Sequence, residues 1–301
     1  MVSTTADRAA RPRVAVVGTG TMGSAMARNL LRAGLVVDVW DHTPDAAAQL
    51  AAAGAAAHGR PGEAVAYADV VITMLADAAA VRSVAIDQDM LDALQHGAIW
   101  AQMATIGVQA TEQLAHMVAD TRPQVRFVDA PVSGTRQPAE AGQLLILASG
   151  PEAARALLEP VFGVIGSRTL WLGAAGAGSR LKLVLNTWLA FLMEGIAESA
   201  ALADRLAVDH EALREALRGG PLEAPVALAK LTKMDAGDES ADFALRWAVK
   251  DVDLALAEGG QHTLPVADTI GRRWHQLVEA GYGQADVVAA RHGLGQDATT
   301  R

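Results

Sequence analysis

The chain has 301 residues, 51% hydrophobic and 20% charged, with no cysteine and a formal net charge of −9 at pH 7. At roughly 150 residues per domain this predicts about two domains with packed cores, and it excludes an intrinsically disordered chain. The missing cysteine excludes disulfides, thiolate-bound metals and a cysteine nucleophile. The acidic balance argues against nucleic acid as a partner, because its phosphates attract clustered Lys and Arg.

Met1–Pro12 carries acidic Asp7 and no apolar run, so it reads as a loose tail and not as a secretory signal. Short apolar runs follow at Val14–Val17, Val36–Trp40, Val70–Leu75, Ile99–Met103, Arg126–Ala130 and Leu144–Ala148. Alanine-rich amphipathic stretches such as Met22–Ala33 and Pro44–Ala53 lie between them. Strands alternating with helices at this spacing predict βαβ units and a mainly parallel sheet, with the later strands free to run antiparallel at an edge. From Gly178 to Ala207 apolar residues recur at helical spacing. Further helices are expected over His210–Leu217, Leu222–Met234, Phe243–Glu258, Pro265–Ala280 and Gln284–His292, punctuated by Gly219-Gly220-Pro221 and Gly259-Gly260. The expected architecture is therefore an α/β Rossmann domain over 12–175, then an all-α domain over 176–301, joined by one long helix. No stretch approaches the roughly 18 unbroken apolar residues of a membrane span; Leu183–Met193 comes nearest, and Asn186 breaks it. The expectation is a cytoplasmic protein with no membrane or nucleic-acid partner.

Gly18-Thr19-Gly20-Thr21-Met22-Gly23 follows the first strand and opens the first helix. In that context Gly18 allows the tight turn, Gly20 lets backbone approach a pyrophosphate, and Gly23 lets helix and strand pack closely. The helix N-terminus, with Thr21 and Met22, offers N–H groups and partial positive charge to phosphates. Asp41 stands 23 residues after Gly18, near the position from which an acid reaches the adenosine ribose. A carboxylate there repels a 2′-phosphate, which favours NAD over NADP, although His42 beside it can tolerate a phosphate. The eight histidines are scattered, with no HExxH pair, so no metal is expected.

The run Gly18 to Leu30 resembles the opening of the β-hydroxyacid dehydrogenases, the group of 3-hydroxyisobutyrate dehydrogenase. The resemblance continues through Asp129-Ala130-Pro131-Val132-Ser133-Gly134, then Gly176-Ala177-Gly178 with Lys182 and Asn186, then Lys250-Asp251-Val252. Ser133 to Leu144 is most similar to the glyoxylate/succinic semialdehyde reductase branch. The resemblance implies an NAD(P)-dependent oxidoreductase interconverting a small β- or γ-hydroxy acid and its semialdehyde, and a homodimer or homotetramer.

Lys182 and Asn186 are four residues apart, so they share a helix face, and the stretch around them is apolar. Carbonyl reduction needs a proton donor for the developing alkoxide, and a lysine ammonium both donates and stabilises charge. The resemblance implies that role for Lys182, with Asn186 orienting it or the substrate. It also implies that Ser133 and Gly134 hold the substrate carboxylate, with Thr135 tightening the pocket, and that Lys250 and Asp251 close over the nicotinamide end. Met74 and Leu75 match an adenosine-side apolar pair, and Thr105 is the candidate ribose or carboxamide contact. Gln102-Met103-Ala104 departs from the acid and serine common before that threonine. Arg136 reads as a surface residue, and Phe243 and Trp247, four apart on an expected helix, as pocket lining or core. Two alternatives are an imine reductase on the same scaffold, which Lys182 counts against, and a dinucleotide-binding protein without turnover. A phosphogluconate dehydrogenase needs a larger helical domain than 301 residues allow.

Overall fold

The computed structural model describes residues 11–295, so all but the last two positions of the Met1–Pro12 tail lie outside the described residues. The chain divides into two compact units, the first ending at Lys182 and the second beginning at Leu183.

The first unit opens β1 (Val14–Val17), α1 (Thr21–Arg32), β2 (Val37–Trp40), α2 (Pro44–Ala51), β3 (Ala56–Ala57), α3 (Pro61–Val65) and β4 (Val70–Thr73). It continues with α4 (Ala78–Arg82), α5 (Met90–Ala93), β5 (Ile99–Gln102), α6 (Val108–Thr121) and β6 (Arg126–Asp129). These six strands form one all-parallel sheet in the order β3-β2-β1-β4-β5-β6, with Val14 registered between Val37 and Val70. A parallel sheet is covered on both faces, so its strands read as unbroken apolar runs. Val14, Val16, Val39 and Ile72 pack on one side with Met26 and Leu30 of α1. Ala15, Val17, Val71 and Trp100 pack on the other with Val65, Leu114 and Val118.

Then come β7 (Val132–Ser133), α7 (Arg136–Glu140), β8 (Leu144–Ala148), α8 (Arg155–Ile165) and β9 (Gly166–Trp171). The late strands are a separate three-stranded sheet and not an edge of the first: β7 runs antiparallel to β8, and β8 parallel to β9. Strand β9 was not expected from sequence, because Ser167 and Arg168 are exposed and break the apolar run.

Helix α9 (Ala177–Arg205) is continuous through the boundary between the units. The second unit goes on with α10 (His210–Leu217), α11 (Pro225–Asp235), α12 (Leu245–Thr263) and α13 (Pro265–Glu279). Helix α11 starts three residues later than Leu222 because Pro225 is its first residue, and the residue before a proline is driven out of the helical region. Helix α12 breaks at Gly260, whose φ of +71° suits glycine.

Two expectations fail here for one reason. Gln284–His292 is not an α-helix but two short 3-10 turns, Tyr282–Gln284 and Val287–Arg291, either side of Asp286. Phe243 is not on a helix with Trp247, since α12 starts at Leu245 and Ala244 bridges Asp286. The fully buried Asp286 carboxylate binds Lys230 Nζ at 2.7 and 2.8 Å and accepts the N–H groups of Asp242, Phe243 and Val288. A buried charge must be paired and hydrogen-bonded, and that requirement outweighs helical periodicity at both segments.

The second core gathers Met193, Ala197 and Ala200 of α9 with Leu231, Val249, Val252, Ile270 and Trp274. The Trp274 indole donates to buried Glu194 at 2.7 Å, and Arg273 pairs with the same carboxylate at 2.9 Å. Nearer the α9 C-terminus, His210 Nδ1 lies 2.7 Å from Asp235, and its Nε2 lies 3.2 Å from the Ala200 carbonyl and 3.3 Å from Asp204. Arg214 pairs with Asp235, and Arg291 with Asp204 and Asp235. The hydrogen bond to Asp235 raises the imidazole above its ordinary 6.5, and the Ala200 carbonyl and acid charges assist, against partial burial. A raised folded value means this stabilisation is complete below pH 6.5 and fades as pH rises through the folded value. Thermal unfolding at pH 6 and pH 8.5 should therefore show a loss on the alkaline side that His210→Gln abolishes. An identical pH dependence in the variant contradicts that account.

Candidate active site

In an open parallel sheet, ligands settle outside the carboxyl ends of the strands, where the strand order reverses. Here the reversal is at β1, flanked by β2 and β4. Gly18 follows β1, Asp41 follows β2, Met74 and Leu75 follow β4, and Thr105 lies three residues beyond β5. The structure thus gathers the sequence-derived cofactor residues of the first unit at one end of the sheet.

Each glycine of the loop has a distinct geometric reason. Gly18 has φ +95°, and a Cβ on it would lie 2.5 Å from the Met74 carbonyl oxygen. A Cβ on Gly23 would lie 1.9 Å from the Gly18 carbonyl oxygen. Gly20 differs: it is exposed, caps α1, and a Cβ there would meet nothing within 4 Å. Open space at the N-terminus of a helix, beside backbone held in place by its neighbours, fits a pyrophosphate. The residues present suit a dinucleotide on that ground.

Sequence reasoning missed the partner of Asp41. Its side chain is only 7% exposed, and Oδ2 accepts the Thr19 N–H at 2.6 Å and the Thr19 hydroxyl at 3.2 Å. Oδ1 accepts the Thr43 N–H at 2.9 Å, with His42 Nδ1 at 3.0 Å. Asp41 therefore ties the glycine loop to the end of β2, while His42 is exposed. The only sequence signal was a threonine at the second position of the glycine run.

Gln102, noted as a departure, is fully buried. Its amide donates to the Ala104 carbonyl at 2.7 Å and accepts the Ala104 N–H at 3.0 Å, so it shapes the turn that leads to half-buried Thr105. Ser133 ends β7, paired opposite Leu145. Gly134, at φ +136°, is exposed, and a Cβ there would lie 2.8 Å from Leu144 Cδ2. Thr135 caps α7, and exposed Arg136 pairs with Glu140 at 2.8 Å across one helical turn.

On α9, Lys182 is 8% exposed and Asn186 7%. In the second unit the Asn186 amide donates to Asp251 Oδ2, and Asp251 Oδ1 lies 3.4 Å from Lys250 Nζ. That bond fixes the amide flip, because a carboxylate only accepts, so the Asn186 carbonyl oxygen is left to act as an acceptor elsewhere. Two cations lie over the Trp247 ring, Arg246 at 4.4 Å and Lys250 at 5.7 Å from its centre. Phe243 lines a small cavity with Asn186, Met193, Asp251 and Trp274. Among the described residues there is no cluster of acids and histidines able to hold a metal ion, and no helix long and apolar enough to cross a membrane.

Comparison with known proteins gives the family. Residues 13–173 match the model of the NAD binding domain of 6-phosphogluconate dehydrogenase. Residues 176–292 match the NAD-binding model of NADP-dependent 3-hydroxyisobutyrate dehydrogenase. The chain is 32% identical to glyoxylate/succinic semialdehyde reductase 1 of Arabidopsis thaliana over 279 residues, 92% of this chain and 96% of that one. A solved 3-hydroxyisobutyrate dehydrogenase from Salmonella typhimurium superposes with a TM-score of 0.84 at 28% identity, covering 93% of this chain and 98% of that one. An imine reductase from Myxococcus stipitatus with NADP+ gives 0.65 at 21% identity over 93% and 98%, a likeness of fold alone. With its glycine loop, its Lys182 and Asn186 helix and both family models matched in order, the chain belongs to the β-hydroxyacid dehydrogenase family of NAD(P)-dependent oxidoreductases.

Proposed function

We propose that the protein interconverts a small β- or γ-hydroxy acid and its semialdehyde, with Lys182 as the general acid and base. The observation that carries this reading is a lysine only 8% exposed, one helical turn before an asparagine that Asp251 holds in a single orientation. Lysine is mostly an exposed residue, so burial beside a fixed amide marks Lys182 as a placed group. In reduction the ammonium gives a proton to the oxygen that becomes the alcohol, and in oxidation the neutral amine takes it back. The bound nicotinamide dinucleotide supplies or accepts the hydride.

The residues proposed to hold the dinucleotide are Gly18, Gly20, Thr21, Met22 and Gly23 at the phosphates and Asp41 and His42 at the adenosine ribose. Met74 and Leu75 would flank the adenosine side, with Thr105, Lys250 and Asp251 at the nicotinamide end. Ser133, Gly134 and Thr135, with Lys250, are proposed to bind the substrate carboxylate. A hydroxyl and backbone N–H groups converging on a loop suit an anion. The carboxylate of Asp41, held by Thr19 and Thr43, supports NAD over NADP, since a carboxylate beside the ribose repels a 2′-phosphate.

A panel of glyoxylate, semialdehydes and hydroxy acids, run with NADH/NAD and NADPH/NADP, tests this reading. Turnover of a carboxylate-bearing aldehyde, with the higher kcat/KM on NADH, is the expected result. Faster reduction of a cyclic imine than of every aldehyde acid overturns the substrate class, and a higher kcat/KM on NADPH overturns the cofactor assignment. Tight dinucleotide binding with no turnover across the panel favours a binding protein.

A further inference from the structure

The carboxylate of Asp129, at the end of β6, is fully buried and has no part in the chemistry above. Its Oδ2 accepts the N–H of Gly176 at 3.1 Å, the N–H of Ser179 at 2.8 Å and the Ser149 hydroxyl at 3.0 Å. Its Oδ1 accepts the Ser179 hydroxyl at 2.8 Å. Ser149 Oγ in turn accepts the Gly178 N–H at 2.9 Å, and Thr111 Oγ1 lies 3.0 Å from Ser179 Oγ. The main-chain donors all come from Gly176–Ser179, where α9 begins.

A helix is ordinarily capped by a short polar side chain just before its first turn. Residues 173–178 are Gly-Ala-Ala-Gly-Ala-Gly and offer none. The acceptor comes instead from a strand 50 residues away from Ser179. The fit is close: a Cβ on Gly178 would lie 2.2 Å from the Leu147 carbonyl oxygen and 3.1 Å from Asp129 Oδ2. Burial pushes the Asp129 carboxyl up, and the hydrogen bonds from Ser179, Ser149 and Gly176 oppose that. The two N–H groups on Oδ2 can only donate, so the arrangement serves the ionised form.

Lys182 is three residues after Ser179, on the next turn. We infer that Asp129 is a positioning residue for Lys182: it clamps the start of α9 to the end of β6 and so sets the height and azimuth of the ammonium. Its charge also offsets the positive end of the helix dipole, which otherwise disfavours a cation on the early turns. This inference rests on Lys182 being the proton donor.

Asp129→Asn, alone and combined with Lys182→Ala, is the test. Asp129→Asn should lower kcat by about 10- to 100-fold, the scale of a small misplacement of a reacting group, with dinucleotide Kd within about twofold. The alkaline limb of kcat/KM for reduction should move down by roughly half a pH unit, since a nearby anion is lost. In the Lys182→Ala background the same change should have no further effect on the residual rate, because it acts only through the lysine. Ser179→Ala keeps the charge and should cost about 3- to 10-fold in kcat with the limb unmoved. If Asp129→Asn does not fold, Ser179→Ala in both backgrounds decides the matter: a loss that vanishes without Lys182 supports the inference. An equal loss in both backgrounds, or normal kcat in the variants, overturns it. Should Lys182→Ala be inactive while Asp129→Asn is normal, only this inference falls; should Lys182→Ala turn over normally, the proposed function falls with it.

Discussion

Replacing Lys182 with alanine is expected to lower kcat by roughly 10²- to 10⁴-fold, the usual worth of a positioned general acid, while dinucleotide Kd stays within about twofold. The split follows from where the groups sit. The glycine loop that suits the phosphates is on β1 and α1, and Lys182 is on α9, outside that loop. Removing the amine takes away both the proton and the charge that meets the developing alkoxide. Lys182→Arg separates the two, because guanidinium keeps the charge but does not release a proton near neutral pH. It should recover part of the rate and lose the alkaline limb of the pH profile. A Lys182→Ala enzyme with near-normal kcat on its best substrate would show that another group moves the proton.

The second large effect divides the glycine loop into a structural and a ligand-facing position. Gly23→Ala places a methyl 1.9 Å from the Gly18 carbonyl oxygen, a contact that only backbone movement relieves. Overpacking of that kind costs about 3 kcal/mol, which corresponds to a fall in Tm of roughly 6–12 °C for a unit of this size. Gly20→Ala meets nothing within 4 Å and has an ordinary φ of −62°, so Tm should change by no more than about 2 °C. Its cost appears only when a pyrophosphate must approach the backbone, and the dinucleotide Kd should rise by about tenfold or more. Calorimetry with and without NAD separates the two outcomes. Unchanged affinity in Gly20→Ala would show that no phosphate rests on this loop.

How much was legible beforehand follows the range of each interaction. Five of the six parallel strands are largely buried and show as apolar runs because both faces of such a sheet are covered; β3 has only two residues, both exposed, and leaves no pattern. The Gly18–Gly23 loop is legible because its constraints act within six residues, and Lys182 with Asn186 because helix geometry alone puts them on one face. The Thr19–Asp41 tie was hidden, since its partners are 22 residues apart and Asp41 alone reads as an acid facing the adenosine ribose. Gln102 stands out in sequence only as a departure from the family pattern, and the fold turns its amide onto the Ala104 backbone.

By itself, then, the sequence determined the alternation of strands and helices in the first half, the long helix and those that follow it, the Gly18–Gly23 loop and the helical lysine–asparagine pair. All of these come from periodicity and contiguous motifs. Tertiary structure decided that the late strands make their own sheet, that Asp286 breaks a periodic helix, and that Asp129 caps a helix that has no local cap. For the two carboxylates the reason is the same: a buried carboxylate takes whichever donors folding brings to it. For Asp286 and Asp129 those donors include groups 56 and 50 residues away, where no local pattern reaches.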